Sequence, residues 1–216
     1  MRYNYIKIAR SSKGRTQGFD PWYPGSSPGL AAKNMNIYLL RHTESTSNKN
    51  NKADSQIDAD LSSKGLSDAQ KLIPVLNKIN PDIFFRSPLK RTYQTLEPFL
   101  DTLEDPTVIA DELLLERDLG DFTGTPMGTF QEYCDKNGLD KVTHQPTGGE
   151  SIQDVYERTK KFLSKLNDQY YDKSIVVCGS KNSLMCLEVA ITKKDIKDFS
   201  SFEPFAVGEL REFKSE

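Results

Sequence analysis

Short apolar runs at residues 36–40, 82–85, 107–110 and 175–178 are separated by stretches in which apolar residues recur with helical spacing. That alternation restricts the chain to an α/β architecture, because parallel strands need crossover connections long enough to hold a helix. The expected fold is a three-layer sandwich: a mostly parallel sheet with helices on both faces. Strands covered on both sides read as continuous apolar runs, as Ile37-Tyr38-Leu39-Leu40 does.

The connecting segments carry their own signals. Leu66, Ala69, Leu72, Ile73, Leu76 and Ile79 set a helical period from Ser63 to about Asn80, stopped by Pro81. A second helix is expected over 89–103, with a kink or restart at Pro98. Thr129 to Lys136 reads as a short helix closed by Asn137-Gly138. Ser151 caps a long helix whose buried face holds Ile152, Val155, Tyr156, Phe162, Leu163 and Leu166. Residues 183–191 form a buried helix, and 205–213 alternate loosely as an edge strand would. The polar stretch 47–60 reads as a loop.

Residues 1–34 differ from the rest of the chain. They are rich in Gly, Ser, Pro, Arg and Lys and lack any sustained period. They are expected to be an unstructured extension, and a start at Met35 would open directly into the first strand. Segments 11–16 and 25–29 read like in-frame translation of transfer-RNA arms, which suggests an early start. The remaining residues, 35–216, then form one domain.

Charge narrows the function. Basic and acidic residues nearly balance, at 29 and 31, which argues against a nucleic-acid footprint. The three cysteines, Cys134, Cys178 and Cys186, lack metal-type spacing and read as free thiols of a reducing compartment. No apolar run approaches the roughly 20 residues that span a bilayer, and the N-terminus lacks the apolar core of a secretory signal. A cytoplasmic location is expected.

The chain has two histidines, and one ends the first strand in Arg41-His42-Thr43-Glu44-Ser45. In open α/β sheets ligands sit at the carboxyl ends of strands. A fixed cation beside an imidazole suits attack on phosphorus, although a buried structural histidine fits this segment equally well.

Further blocks come in order along the chain: Leu61-Ser62-Ser63-Lys64-Gly65, Arg86-Ser87-Pro88-Leu89-Lys90-Arg91, Leu115-Glu116-Arg117-Asp118-Leu119-Gly120, and Pro146-Thr147-Gly148-Gly149-Glu150-Ser151. Together with Arg41-His42 they resemble the histidine phosphatase superfamily, the phosphoglycerate-mutase-like proteins. The resemblance implies that fold and hydrolysis of a phosphomonoester through a phosphohistidine. It makes His42 the nucleophile and Glu116 the acid and base. Arg41, Arg91 and Asn48 become the groups that hold the phosphate, and two guanidinium forks suit that task because each grips two oxygens. No metal and no cofactor are expected, since side chains supply the positive charge.

One block departs from the family. Its last motif is a buried strand ending in Ser-His-Gly, which brings a second histidine to the pocket. Here the strand reads Val176-Val177-Cys178-Gly179-Ser180-Lys181, with Gly179 set against the histidine, and no histidine follows His144. Loss of one such donor costs roughly 100–1,000-fold in rate. Lys181 is the candidate auxiliary cation. Arg86 is a possible rim cation, Arg117 and Asp121 possible rim partners, and Glu150-Ser151 reads as a helix cap. His144 reads as a solvated loop residue.

Three functions stay open. The first is a weakened phosphatase acting on a small phosphorylated metabolite or a phosphoprotein. The second is a pseudophosphatase that binds such a ligand without turnover. The third is a phosphoglycerate-type mutase, disfavoured because residues 124–148 leave little material for a lid. Oligomeric state is not legible.

Overall fold

The computed structural model describes residues 35–214. The expected extension 1–34 lies outside the described residues. Five strands form one sheet in the order β3-β2-β4-β1-β5: β1 is Asn36–Arg41, β2 Ile83–Arg86, β3 Val108–Ala110, β4 Ser174–Gly179 and β5 Leu210–Lys214. β1, β2, β3 and β4 run parallel, and β5 closes one edge antiparallel to β1. The α/β sandwich expected from the alternation is the observed fold.

Side-chain alternation along the strands divides the core in two. Ile37, Leu39, Phe85, Ile175 and Val177 face one way, against α6 (Ile152–Gln169) and α7 (Lys181–Ile191). Leu40, Phe84, Val176 and Cys178 face the other way, against α3 (Ile73–Ile79) and α4 (Lys90–Leu100). All three cysteines are buried free thiols. Among the described residues, no helix is long and apolar enough to cross a membrane.

Four details differ from the sequence reading. The single helix expected from Ser63 to Asn80 is two, α2 (Ser63–Gln70) and α3, because Pro74 sits in the first turn of α3 and cannot donate a backbone bond. The helix does not restart at Pro98, which lies inside α4 near its end, where only one backbone bond is forgone. The loop 47–60 is entered through a one-turn helix, α1 (Thr46–Lys49), capped by Ser45. The edge strand β5 is shorter than the expected 205–213 and ends one residue later.

The remaining helix, α5 (Thr129–Asn137), ends at Gly138 with φ +63°, as Asn137-Gly138 implies. Ser151 caps α6 in a box with Asp154.

Candidate active site

The register of β1 on β4 pairs Arg41 with Gly179, and His42 N–H donates to the Gly179 carbonyl at 3.0 Å. Adjacent strands lie about 4.8 Å apart, so two parallel strands deliver Arg41-His42 and Gly179-Ser180 side by side. β2 ends next to them, where Ser87 N–H donates to the Cys178 carbonyl. α4 starts just after that turn and carries Arg91 inward in its first turn.

His42 is 3% exposed, and its Nδ1 lies 2.7 Å from the Thr43 carbonyl oxygen. Burial and the nearby charges of Arg91 and Arg41 hold its pKa well below the usual imidazole value. The ring is therefore neutral. Thr43, expected to be tolerable after the histidine, is itself buried, and its N–H donates to Thr95 Oγ1 at 3.1 Å. That contact ties the histidine turn to α4.

Arg91 is 1% exposed and held by the loop that the sequence left featureless. Its Nη1 donates to Ile57 O at 2.7 Å and its Nη2 to Ser55 O at 3.0 Å. Asp54, buried, accepts from Ser45 Oγ at 2.8 Å and lies 3.8 Å from Arg91 Nη1. Nη2 also donates to Ser180 Oγ at 3.3 Å.

Arg41 is fixed by Nη1 donating to Phe205 O at 2.5 Å. Burial lowers both guanidinium pKa values, and Glu116 and Asp54 act against that. The Nε atoms of Arg41 and Arg91 are buried with no hydrogen-bond partner. Arg86 Nε and Arg211 Nη2 are unpaired in the same way; each such donor keeps the capacity to bind an anion, because a buried donor left unpaired is costly.

Glu116 is 9% exposed and sits where its charge reaches both arginines. Its carboxylate accepts from Arg117 N–H at 2.7 Å and from Asn182 N–H at 3.2 and 3.3 Å. The first turn of α7 thus docks the carboxylate against the strand ends. Asn48 commits its side-chain oxygen to Ser45 N–H at 3.2 Å, which leaves its amide hydrogens as its donors.

Other candidates lie elsewhere. Lys181 lines a cleft of about 380 Å³ together with Arg117, Lys141, Asn182, Phe130 and Phe202. Arg117 is braced there by Nε to Glu150 O at 2.7 Å and by the Phe130 ring 4.5 Å from its Cζ. Arg86 folds back on Ser87 O and lies over Tyr93, so it braces its own turn. Asp121 is exposed.

Glu150 is a brace as well as a helix flank, accepting from Arg158 Nε at 2.9 Å and from Asp118 N–H at 2.9 Å. His144 corrects the solvated-loop expectation. It is half-buried and stacked on Phe130, with ring centroids 6.0 Å apart. Among the described residues, no group of three or more His, Cys, Asp or Glu side chains is placed to hold a metal ion.

Asp54 and Ser55 are the residues that sequence reasoning missed. Neither falls in a periodic segment, and Ser55 takes φ +50°, a conformation its residue type does not announce.

The sequence profile of the histidine phosphatase superfamily (branch 1) matches residues 37–214. Phosphoserine phosphatase 1 of Hydrogenobacter thermophilus is 29% identical over 177 residues, covering 78% of this chain and 81% of that protein. A 2,3-bisphosphoglycerate-dependent phosphoglycerate mutase of Cytophaga hutchinsonii is 28% identical over 191 residues, covering 83% and 88%. The structure of a mycobacterial glucosyl-3-phosphoglycerate phosphatase with VO3 superposes with a TM-score of 0.72 at 24% identity, covering 82% and 91%. That last likeness concerns the fold.

Proposed function

The chain belongs to the histidine phosphatase superfamily (branch 1), and we propose that it hydrolyses a small phosphomonoester through a phosphohistidine on His42. One observation carries the reading: a buried neutral imidazole lies within electrostatic reach of two guanidinium groups whose Nε–H donors have no partner among the described residues. A phosphoryl group has the charge and the acceptors to satisfy both.

The steps follow from the donors in place. Nδ1 donates to Thr43 O, so Nε2 carries the lone pair that attacks phosphorus. Arg41, Arg91 and the Asn48 amide neutralise and orient the equatorial oxygens. As the P–O bond to the alcohol breaks, Glu116 passes to the departing oxygen the proton that it has taken from the monoanionic phosphoester. The same carboxylate then takes a proton from water, whose oxygen attacks the phosphohistidine and releases phosphate and neutral His42.

The cleft beside Glu116 points to the leaving group. Arg117, Lys181 and Lys141, the last paired with Asp135, line it, and among the described residues no acidic one does. A substrate with a second anionic group, such as a carboxylate near the ester, complements that lining. The phosphoserine and phosphoglycerate in the relatives' names share this chemistry.

The test is release of phosphate from an aryl phosphate and from phosphoserine by the native chain and by His42→Ala. Turnover abolished in His42→Ala supports the reading, whereas undiminished turnover overturns it. A pseudophosphatase that only binds a phosphorylated ligand is favoured by the lack of any histidine after His144. Phosphate binding by the native chain with no turnover on either ester would establish that reading instead.

A further inference from the structure

We propose that Ser180, the residue after β4, donates a hydrogen bond from its hydroxyl to the phosphoryl group in transit, in the place where the family presents its second histidine. This rests on the phosphatase reading above and assigns a residue that alignment of the strand-end motif passes over.

Position 179 is crowded by α7. Gly179 lies on the same side of β4 as Val177, the side that packs against α7. A Cβ there would sit 2.9 Å from Leu184 Cδ2 and 3.0 Å from Leu184 Cγ. Leu184 is fully buried in the core. A side chain at 179 would therefore require Leu184 to shift.

Ser180 is placed differently. It is the N-terminal flanking residue of α7, extended in conformation (φ −109°, ψ 171°) and 1% exposed. Its N–H donates to Ser183 Oγ at 3.4 Å, and Ser183 Oγ donates to its carbonyl at 3.1 Å, so the turn is locked. Its Oγ accepts from Arg91 Nη2 at 3.3 Å. Arg91 is the same guanidinium whose Nε has no hydrogen-bond partner. The His42 N–H bond to Gly179 O keeps the nucleophile one strand spacing away.

The hydroxyl has a hydrogen bond to give. A guanidinium has no acceptor atoms, so in its contact with Arg91 the serine oxygen only accepts. Among the described residues, no hydrogen bond is donated by this hydroxyl. Accepting from a cation makes the O–H a stronger donor. A phosphoryl oxygen held by Arg91 supplies the missing acceptor. Lys181, the next residue, lines the cleft instead, so the strand end offers the pocket one side chain.

The experiment compares the full chain with Ser180→Ala, Ser180→His, Gly179→His and His42→Ala. It reads kcat and KM on an aryl phosphate, inhibition by inorganic phosphate and by vanadate, and thermal stability. Vanadate takes the five-coordinate shape of the transition state and so reports transition-state contacts. Ser180→Ala should lower kcat about 100-fold or more with KM within about threefold. Its vanadate affinity should fall by a larger factor than its phosphate affinity.

Ser180→His should recover kcat to the native value or above it. Gly179→His should melt lower and gain nothing. A purely helix-capping role would lower the melting temperature and leave the vanadate-to-phosphate ratio unchanged, which overturns the proposal. Native kcat in Ser180→Ala overturns it too, as does a gain confined to Gly179→His. Retained turnover in His42→Ala would strike the parent reading alone. Should the native chain not turn over, the anion ratio still decides the role of Ser180.

Discussion

The Nδ1 atom of His42 lies 2.7 Å from the carbonyl oxygen of the next residue, Thr43. A carbonyl can only accept, so Nδ1 bears the proton and Nε2 is left as the nucleophile. The tautomer is thus set by the backbone of the same turn that positions the ring.

Because burial, Arg91 and Arg41 hold the His42 pKa well below its usual value, the ring stays neutral as the pH falls through the ordinary imidazole range. Its NMR signals in the ligand-free protein should not titrate between pH 7.5 and 5.5. The unfolded chain protonates this ring below about pH 6.5 while the native state does not. Stability is therefore lost as pH falls below that value, by up to about 1.4 kcal/mol per pH unit for this group. His42→Asn should show less acid destabilisation in urea melts; an identical pH dependence would contradict the assignment.

Glu116→Gln keeps the shape of the side chain and removes its proton transfer. On an alkyl phosphate such as phosphoserine, kcat should fall about 100- to 10,000-fold. On a nitrophenyl ester, whose leaving group needs little protonation, the loss in the first step should be much smaller. Burst kinetics on the two esters measure the difference, and equal losses would remove Glu116 from the acid role.

Arg91→Lys tests the fork. A lysine is a point charge and lacks the planar fork whose two Nη atoms reach Ile57 O, Ser55 O and Ser180 Oγ. A drop of about 100-fold in kcat/KM, with weaker inhibition by inorganic phosphate, is the expected result. A kinetically native Arg91→Lys would mean that charge alone suffices there.

Gly65 in α2 packs so closely on the turn after His42 that a Cβ would overlap the Glu44 carbonyl oxygen. Backbone cannot yield as a flexible side chain can. Gly65→Ala should cost about 1–3 kcal/mol in a denaturant titration and lower activity by shifting the Glu44–Ser45 backbone. Unchanged stability would show that α2 is free to move away.

Much of this architecture was legible because it rests on short-range signals. The apolar runs gave β1, β2, β3 and β4, and the blocks around His42, Arg91 and Glu116 marked residues that the sheet register then brings together. Pro74 splits a helix whose apolar period is unbroken, since period reports burial and not backbone donors. Asp54, Ser55 and Ile57 grip Arg91 through long-range backbone carbonyls and a carboxylate in a loop. Carbonyl contacts leave no residue-type signature, so no pattern announced them. The exchange of Gly179 and Ser180 as the pocket position is a one-residue matter at a strand end. There only the direction of the side chain, towards Leu184 or towards Arg91, decides.

The most direct measurement is to trap the intermediate. The native chain is mixed rapidly with an aryl phosphate, quenched in alkali to preserve phosphohistidine, and mapped by mass spectrometry. One phosphoryl group on His42, formed at least as fast as turnover and absent from His42→Ala, is the predicted result. Turnover with no phosphoryl group on His42, or with one on another residue, would contradict the account.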